Sequence, residues 1–319
     1  MPRTNRQIVR AAGSTITTAG LAAGGALNPE QSRRFIQQTF DATPLGALVR
    51  HEMRVARTGE VDKIGIARRL LRKKTENVDD GYRAGVTHSK IEYATTPVRV
   101  PWEITEETLR ENIQGQQYEE IVTNLMTRQI GCDAEDIYLN GDTAVSPDDP
   151  DHDFLYVNDG WIKQLMGGSH IVDRTSKSNG AMSLDVFYDT LQAIPNKYNN
   201  GRLKWLMSPH RRQEWERYIL TQAVTAGGIV TDRRVENPLS IPAVEVPSMP
   251  DDKIILTDPQ NLIVVNSYNV VIRKTTEGES AIMQDKRFYV VHFDFDTIIE
   301  ELDAAAIVTG LAAPGTRGN

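Results

Sequence analysis

Spacings of three and four dominate the apolar positions Tyr118, Ile121, Val122, Leu125, Ile130, Ala134, Ile137 and Tyr138. That period predicts an amphipathic helix from about Gln116 to Leu139, roughly 24 residues and ~35 Å long. Asn140-Gly141 suits a left-handed cap at its end. Just upstream, Thr105 is a good N-cap residue, and Glu106 and Glu107 would put negative charge in a first turn that continues through Leu109 and Ile113. Further on the period switches. Ser183 caps a helical run of Leu184, Phe187, Leu191 and Ile194, which Pro195 stops, and Asn199-Asn-Gly201 makes a turn. Leu203–Met207 reads as a strand. Ser208-Pro209 then starts a second helix with Trp215, Tyr218 and Ile219 on its buried face. Strands follow at Ile254–Leu256, Leu262–Val265, Val270–Arg273 and Ala304–Val308. Phe288 to Asp296 alternates strictly: Tyr289, Val291, Phe293 and Phe295 share one face, and Asp294 and Asp296 read as exposed carboxylates on the other.

Two segments lack the apolar content for a core of their own. The first 30 residues are rich in Ala, Gly and Thr, and Pro29 then opens a short helix with Phe35, Ile36 and Phe40 to one side. Residues 50–100 predict a long hairpin. Val61, Ile64 and Ile66 lie on the outgoing strand, an Asp80-Gly81 turn follows, and Ile91, Tyr93 and Pro97–Pro101 return. Between Arg72 and Lys90 only Val78, Tyr82 and Val86 are sizeable and apolar, so this hairpin must lie on another surface.

Charge sharpens that picture. The chain of 319 residues has a net charge of −7, but residues 1–74 balance at +9 and the remainder at −16. Residues 133–160 hold nine acidic side chains and neither Lys nor Arg. A basic front and an acidic centre point to an interaction role, head to middle. The basic candidates are Arg54, Arg57, Lys63, Arg68, Arg69, Arg72, Lys73 and Lys74. The acidic ones are Asp133, Glu135, Asp136 and Asp142.

Catalytic signals are missing. No phosphate-binding glycine loop or nucleophile elbow occurs. No two of the six histidines stand at i, i+4, and Cys132 is the only cysteine, which removes disulfide frameworks and cysteine-cluster metal sites. Within the long helix Cys132 reads as an inert small side chain. Asp148, Asp149, Asp151, His152 and Asp153 could collect a hard cation, but their spacing matches no EF-hand, and a solvated acidic loop is the simpler reading. No cofactor is expected. A metal-dependent enzyme using loop 142–153 with His170 is the alternative from another class. No apolar run approaches the length of a membrane span, no secretory leader is recognisable, and synthesis in a reducing cytoplasm is expected.

The order of parts resembles a known family. An arm and a charged hairpin precede Pro97-Val-Arg-Val-Pro-Trp-Glu-Ile-Thr-Glu-Glu-Thr-Leu109. The long helix ends Asp136-Ile-Tyr-Leu-Asn-Gly-Asp142. An α/β region contains Leu203-Lys-Trp-Leu-Met-Ser-Pro209, and Phe288–Asp296 and Ala304–Leu311 close the chain. From about residue 30 to 311 this is similar to the major capsid proteins of tailed bacteriophages, with the Hong Kong 97-type fold.

The resemblance implies an α+β chain. Residues 1–45 would be an N-terminal arm and 46–100 an extended loop lying over an adjacent subunit. Residues 101–174 would be a peripheral domain with the spine helix, 175–280 an axial α/β domain, and 281–319 a return to the peripheral domain. It implies copies of the chain as principal partner, in hexamers and pentamers of an icosahedral shell around double-stranded DNA. Portal, scaffolding and decoration proteins and non-specific contact with packaged DNA would be the others, with no membrane. The place would be the virion capsid, assembled in the host cytoplasm. Some relatives cross-link a loop lysine to an asparagine. Lys63, Lys73 and Lys74 lie in the loop, but no asparagine or assisting carboxylate is identifiable. Encapsulins, shells of the same fold that enclose enzymes, are the nearest alternative.

Overall fold

A computed structural model describes residues 44–66, 70, 71, 73, 81–107, 117–177, 180–225 and 237–315. Twelve strands and six α-helices lie among them. In chain order they are β1 (Arg50–Met53), β2 (Thr58–Gly65), β3 (Thr87–Ala94), β4 (Thr96–Thr105), α1 (Gln117–Asn140), α2 (His152–Leu155), α3 (Trp161–Met166), β5 (Ile171–Asp173), α4 (Leu184–Ala193), β6 (Lys204–Met207), α5 (Pro209–Thr225), β7 (Ala243–Glu245), β8 (Ile254–Thr257), β9 (Leu262–Asn266), β10 (Val271–Thr275), α6 (Glu279–Met283), β11 (Lys286–Ile299) and β12 (Ala305–Thr309).

β11 organises the first sheet. Its first two thirds pair antiparallel with β4 on one side and β10 on the other, and its last four residues pair with β9, which is flanked by β1 in parallel. Helix α1 packs on this sheet through Val122, Ile130, Ala134, Ile137, Tyr138 and Leu139, which join Trp102, Ile104, Tyr289, Val291 and Phe295 in one core. Trp102 stacks on Tyr289 at 5.3 Å, and Tyr138 meets Phe295 edge-on at 5.0 Å.

The second sheet runs β5-β12-β8-β6-β7. Its central strands are apolar on both faces, so they read as unbroken runs. Ile255, Ile307 and Leu206 enter the first core. Ile254, Leu256, Ala306, Val308, Trp205 and Met207 enter a second core with Phe187 of α4 and Trp215 of α5. β9 and β10 therefore belong to the first sheet rather than to the 175–280 unit expected for them. β12 belongs to the second, not to the return of the chain to the first. Successive apolar runs carry no record of which neighbour each strand takes, and here the chain crosses between sheets once more than its linear order suggests.

Local signals mostly matched. Ser208 accepts from the Arg211 amide at 3.3 Å as Pro209 starts α5. Gly201 is left-handed, with φ 82°. Three differ. Thr105 ends β4 opposite Lys286 and stands directly before helical Glu106 and Glu107, as its capping place expects, but its buried hydroxyl makes no hydrogen bond; residues 108–116 lie outside the described residues. Ser183 holds the N-cap position of α4 but makes no side-chain cap bond. Gly141 does not adopt the left-handed conformation. It is glycine because a Cβ would collide with the Asn158 carbonyl oxygen and sit 2.8 Å from that of Ile137. The close approach lets the Gly160 amide donate to the Gly141 carbonyl at 2.8 Å, tying α3 to the end of α1.

The other end of α1 is held by charge. Glu119 accepts from the Tyr289 hydroxyl at 2.7 Å and pairs with Lys274 of β10 and, at 3.3 Å, with Arg287 of β11. Arg287 also binds Glu106. Burial pushes the Glu119 carboxyl up. The bonds from Lys274 and Tyr289 and the charges of Lys274 and Arg287 outweigh it and hold the group below the ordinary range.

Two outcomes follow from these contacts. Gly141→Ala is expected to destabilise the subunit by about 1–3 kcal/mol in urea melts, since neither opposing carbonyl has room to withdraw. Glu119→Gln is expected to cost about 1–2 kcal/mol near pH 7. A depressed folded pKa gives stability that is full above the unfolded value, near ~4.3, and lost as pH falls through the folded value. Melting curves of parent and variant should therefore converge on acidification, and a gap unchanged at low pH would disprove the charge role.

Candidate assembly surface

The hairpin β2–β3 has a buried root and a bare tip. Eight cross-strand pairs run from Thr58↔Ala94 to Gly65↔Thr87. At the root Val61 and Tyr93 are buried against Ile263, Val265 and Ile298 of β9 and β11. Gly59 stands opposite Tyr93, and the missing side chain makes room for it: a Cβ would meet the Tyr93 hydroxyl oxygen at 2.7 Å and the ring at 3.0 Å. So the hairpin has a small core after all, borrowed from the body.

Two carboxylates clamp the root. Asp294 is fully buried. It accepts from the Thr95 hydroxyl and the Ser267 amide, both at 2.8 Å, from the Tyr268 amide at 3.3 Å and from the Ser267 hydroxyl. Asp296 accepts from the amides of Ala94 at 2.7 Å and Thr297 at 2.8 Å. These residues were expected to be solvated. They are buried because β4 pairs with β11 only as far as Phe295↔Thr96, and the departing hairpin crosses the polar face there. Burial pushes the Asp296 carboxyl up, with its amide bonds offsetting part of that. Alternation along β11 gave no sign of this second cover; Thr95 and Ser267, beside strand ends, were the only available signal.

Beyond the root the apolar side chains are uncovered. Ile64 is 67% exposed, Ile66 60% and Leu71 99%. Large apolar groups left in solvent on this part of the hairpin make it a candidate protein–protein contact.

The charged candidates divide. Arg54 pairs with Glu52 of its own chain. Lys63 pairs with Glu301 and donates to the Glu300 carbonyl at 3.1 Å, so it docks the hairpin on its own body rather than on a neighbour. Arg57 and Lys73 are exposed. Arg68, Arg69, Arg72 and Lys74 lie outside the described residues. Glu135 is 3% exposed and accepts from the Leu45 amide at 3.0 Å, so it too serves its own chain and drops out as a docking residue. Asp142 pairs with Lys163 at 2.7 Å, a cation lying just past the acidic stretch.

Asp133 and Asp136 remain, half-buried near the end of α1. They accept from Gln129 at 2.7 Å and Asn140 at 2.6 Å respectively. Burial, then acidic neighbours, raise both carboxyls, although those amide bonds pull the other way. A cation placed beside them would relieve that penalty.

The acidic loop forms turns. Asp149 accepts from the Asp151 amide at 2.9 Å, and His170 faces Asp303 at 3.5 Å. Among the described residues no three His, Cys, Asp or Glu side chains gather as a metal site would need, and no helix is long and apolar enough to cross a membrane.

Asp294→Ala is expected to cost about 2–3 kcal/mol, because it removes the buried acceptor that the Thr95 and Ser267 hydroxyls and the Ser267 amide share. The hairpin root should also become more susceptible to limited proteolysis. A melting temperature and digestion pattern like the parent's would show that the clamp is dispensable.

No family model matches the chain. A prophage protein of Bacillus subtilis (strain 168), YqbE, provisionally named a capsid protein, is 25% identical over 318 residues, covering 95% of this chain and 97% of that one. A chain of the satellite phage P4 procapsid superposes with a TM-score of 0.64 at 15% identity, covering 97% of this chain and 96% of the other. A chain of the SrpI encapsulin complex from Synechococcus elongatus PCC 7942 gives 0.52 at 11% identity, covering 100% and 99%. The structures establish the fold. They give the chain the Hong Kong 97 fold of tailed-phage capsid subunits, and its sequence likeness to a capsid relative spans almost the whole of both chains.

Proposed function

We propose that copies of this chain assemble as hexamers and pentamers of an icosahedral shell that encloses double-stranded DNA. In this reading residues 1–45 are the arm and 46–100 the extended loop. The first sheet with α1 is the peripheral domain, and the second sheet with α4 and α5 is the axial domain. The observation that carries it is the hairpin, clamped at Asp294 and Asp296 and bare at Ile64, Ile66 and Leu71. Its root is fixed on the body while the described apolar side chains beyond it stay in solvent. The role is structural, as the capsid relatives indicate.

We infer that the tip, with Arg57, Arg68, Arg69, Arg72, Lys73 and Lys74, lies on a neighbouring copy near Asp133 and Asp136. Each exposed pair is worth only ~0–1 kcal/mol. Apolar burial would supply the affinity and charge the register. Portal, scaffolding and decoration proteins would complete the particle, assembled in the host cytoplasm and retained in the virion.

An encapsulin-type compartment is the second reading, favoured by the full-length superposition on SrpI. Electron microscopy of the expressed protein should show closed shells, and their absence under every assembly condition would defeat the proposal. Nuclease-resistant DNA in particles from producing cells supports a capsid, whereas a protein cargo alone would support the compartment. Reversing Arg68, Arg69 and Arg72 to Glu should abolish shells while leaving subunit melting unchanged. Equal loss of melting would make the contact intrachain, and normal shells would reduce the charges to solvation. High salt should likewise slow assembly before it unfolds the subunit, since the screening length falls from ~10 Å at 0.1 M to ~3 Å at 1 M.

A further inference from the structure

The outer face of the first sheet has an apolar centre that its own chain leaves partly in solvent. Tyr289, Val291 and Phe293 of β11 enter the core beneath α1, so Phe288, Val290 and His292 point the opposite way. Register sets three rows across that outer face: Arg99–His292–Val271, Pro101–Val290–Arg273 and Glu103–Phe288–Thr275. A sheet face turned to water is ordinarily polar at these positions. Here Phe288, Val290 and Val271 are apolar and only partly buried, with exposed Pro101 beside them. Glu103 pairs with Lys286 at 2.8 Å. Arg99 and Arg273 are exposed and make no hydrogen bond or ion pair among the described residues. An apolar centre with a charged rim is the anatomy of a protein contact. A nucleic acid would pair its phosphates with the arginines but leave the apolar centre without a partner.

The same chain carries a complement. Asp148, Asp149, Asp151 and Asp153 are exposed, and no lysine or arginine pairs with them among the described residues. Tyr156, 54% exposed, stacks on His152 at 4.9 Å and adds an aromatic surface to the acidic one. Within one chain the two surfaces stand apart. The acidic loop follows the end of α1, where Tyr138 meets Phe295. Val290 and Phe288 lie roughly 17–23 Å back along β11 from Phe295, on the face that α1 does not cover.

We propose that the outer face of β4, β11 and β10 receives the acidic loop of a second copy, with Arg99 and Arg273 pairing with its aspartates and Tyr156 covering Val290 and Phe288. The contact rests on the reading that copies of the chain assemble. Because two different patches meet, it is heterologous and runs head to tail, closing where the rotation permits a ring. The same two copies can meet at the hairpin as well. The outer face begins at Pro97, next to the hairpin root, and the acidic loop lies beside Asp136, whose carboxyl Asp151 helps to raise.

Cross-linking in assembled particles decides. In a Cys132→Ser background, Pro101→Cys and Pro150→Cys together, treated with a short bismaleimide, should give covalent dimers and longer ladders. Either cysteine alone should give none. A link confined to the monomer would place the loop on its own sheet, and no link in normal shells would leave the face to another occupant. Either result overturns the contact and leaves the assembly reading standing. If the parent chain forms no shell under any condition, the assembly reading falls and takes the contact with it. Charge reversal decides should the cysteine variants fail to assemble. Arg99→Glu with Arg273→Glu should cut shell yield at least about tenfold with subunit melting unchanged, since like charges facing each other across an interface are disfavoured. Adding Asp149→Arg and Asp151→Arg should restore the yield. Loss without restoration would assign the face to nucleic acid or another partner, and undiminished yield would make the arginines merely solvated; both overturn the contact.

Discussion

The architecture depends on two carboxylates buried on one strand. β11 is paired on both sides along most of its length, and Asp294 and Asp296 sit where β4 stops and the hairpin departs. A buried carboxylate is costly unless its oxygens are satisfied. Here the satisfying donors come from Thr95, Ala94, Ser267 and Tyr268, at the hairpin root and at the β9–β10 junction. The desolvation cost therefore becomes a geometric constraint. Only one path of the chain out of the sheet supplies those donors, and that path fixes where the hairpin points.

Stability and interaction are thereby separated. The body has two continuous apolar cores, joined through the two faces of the second sheet. The hairpin contributes only Val61 and Tyr93, with Ile91 partly buried, to a third, minor cluster. Lys63 and Glu301 add an ion pair close to the same root. The outer half of the hairpin is left with its apolar side chains in solvent. Removing the tip's contacts would therefore cost the body little, while removing the clamp would disorder the direction of the tip without emptying either main core.

Periodicity made α1 legible almost to the residue, because a long helix on a sheet must show one apolar stripe. The runs at 254–257, 262–266 and 305–309 were legible as strands for the opposite reason, being buried on both faces. Their partners were not, since a strand apolar on both sides looks the same in either sheet. Asp294, Asp296 and Glu135 were misread by one logic: a carboxylate in a polar position looks solvated until a distant segment brings backbone amides to it. Lys63 was read as a docking charge because its partner Glu301 lies 238 residues away. The hairpin's shortage of core was legible, but which of its charges its own chain uses was not.

That distinction changes what the charges do. Of the acidic candidates, the best buried, Glu135, is consumed in fastening the chain's own entry, and Asp142 is neutralised by Lys163. Asp133 and Asp136 keep raised carboxyls and no basic partner among the described residues. An electrostatic penalty left unrelieved in the subunit but relievable by a cation from outside favours association over the free state. If, as proposed above, basic side chains of the loop reach Asp133 and Asp136, attraction at long range and burial of exposed Ile64, Ile66 and Leu71 at short range would act together. In that reading the cores hold the fold while the groups left unpaired at the surface direct association.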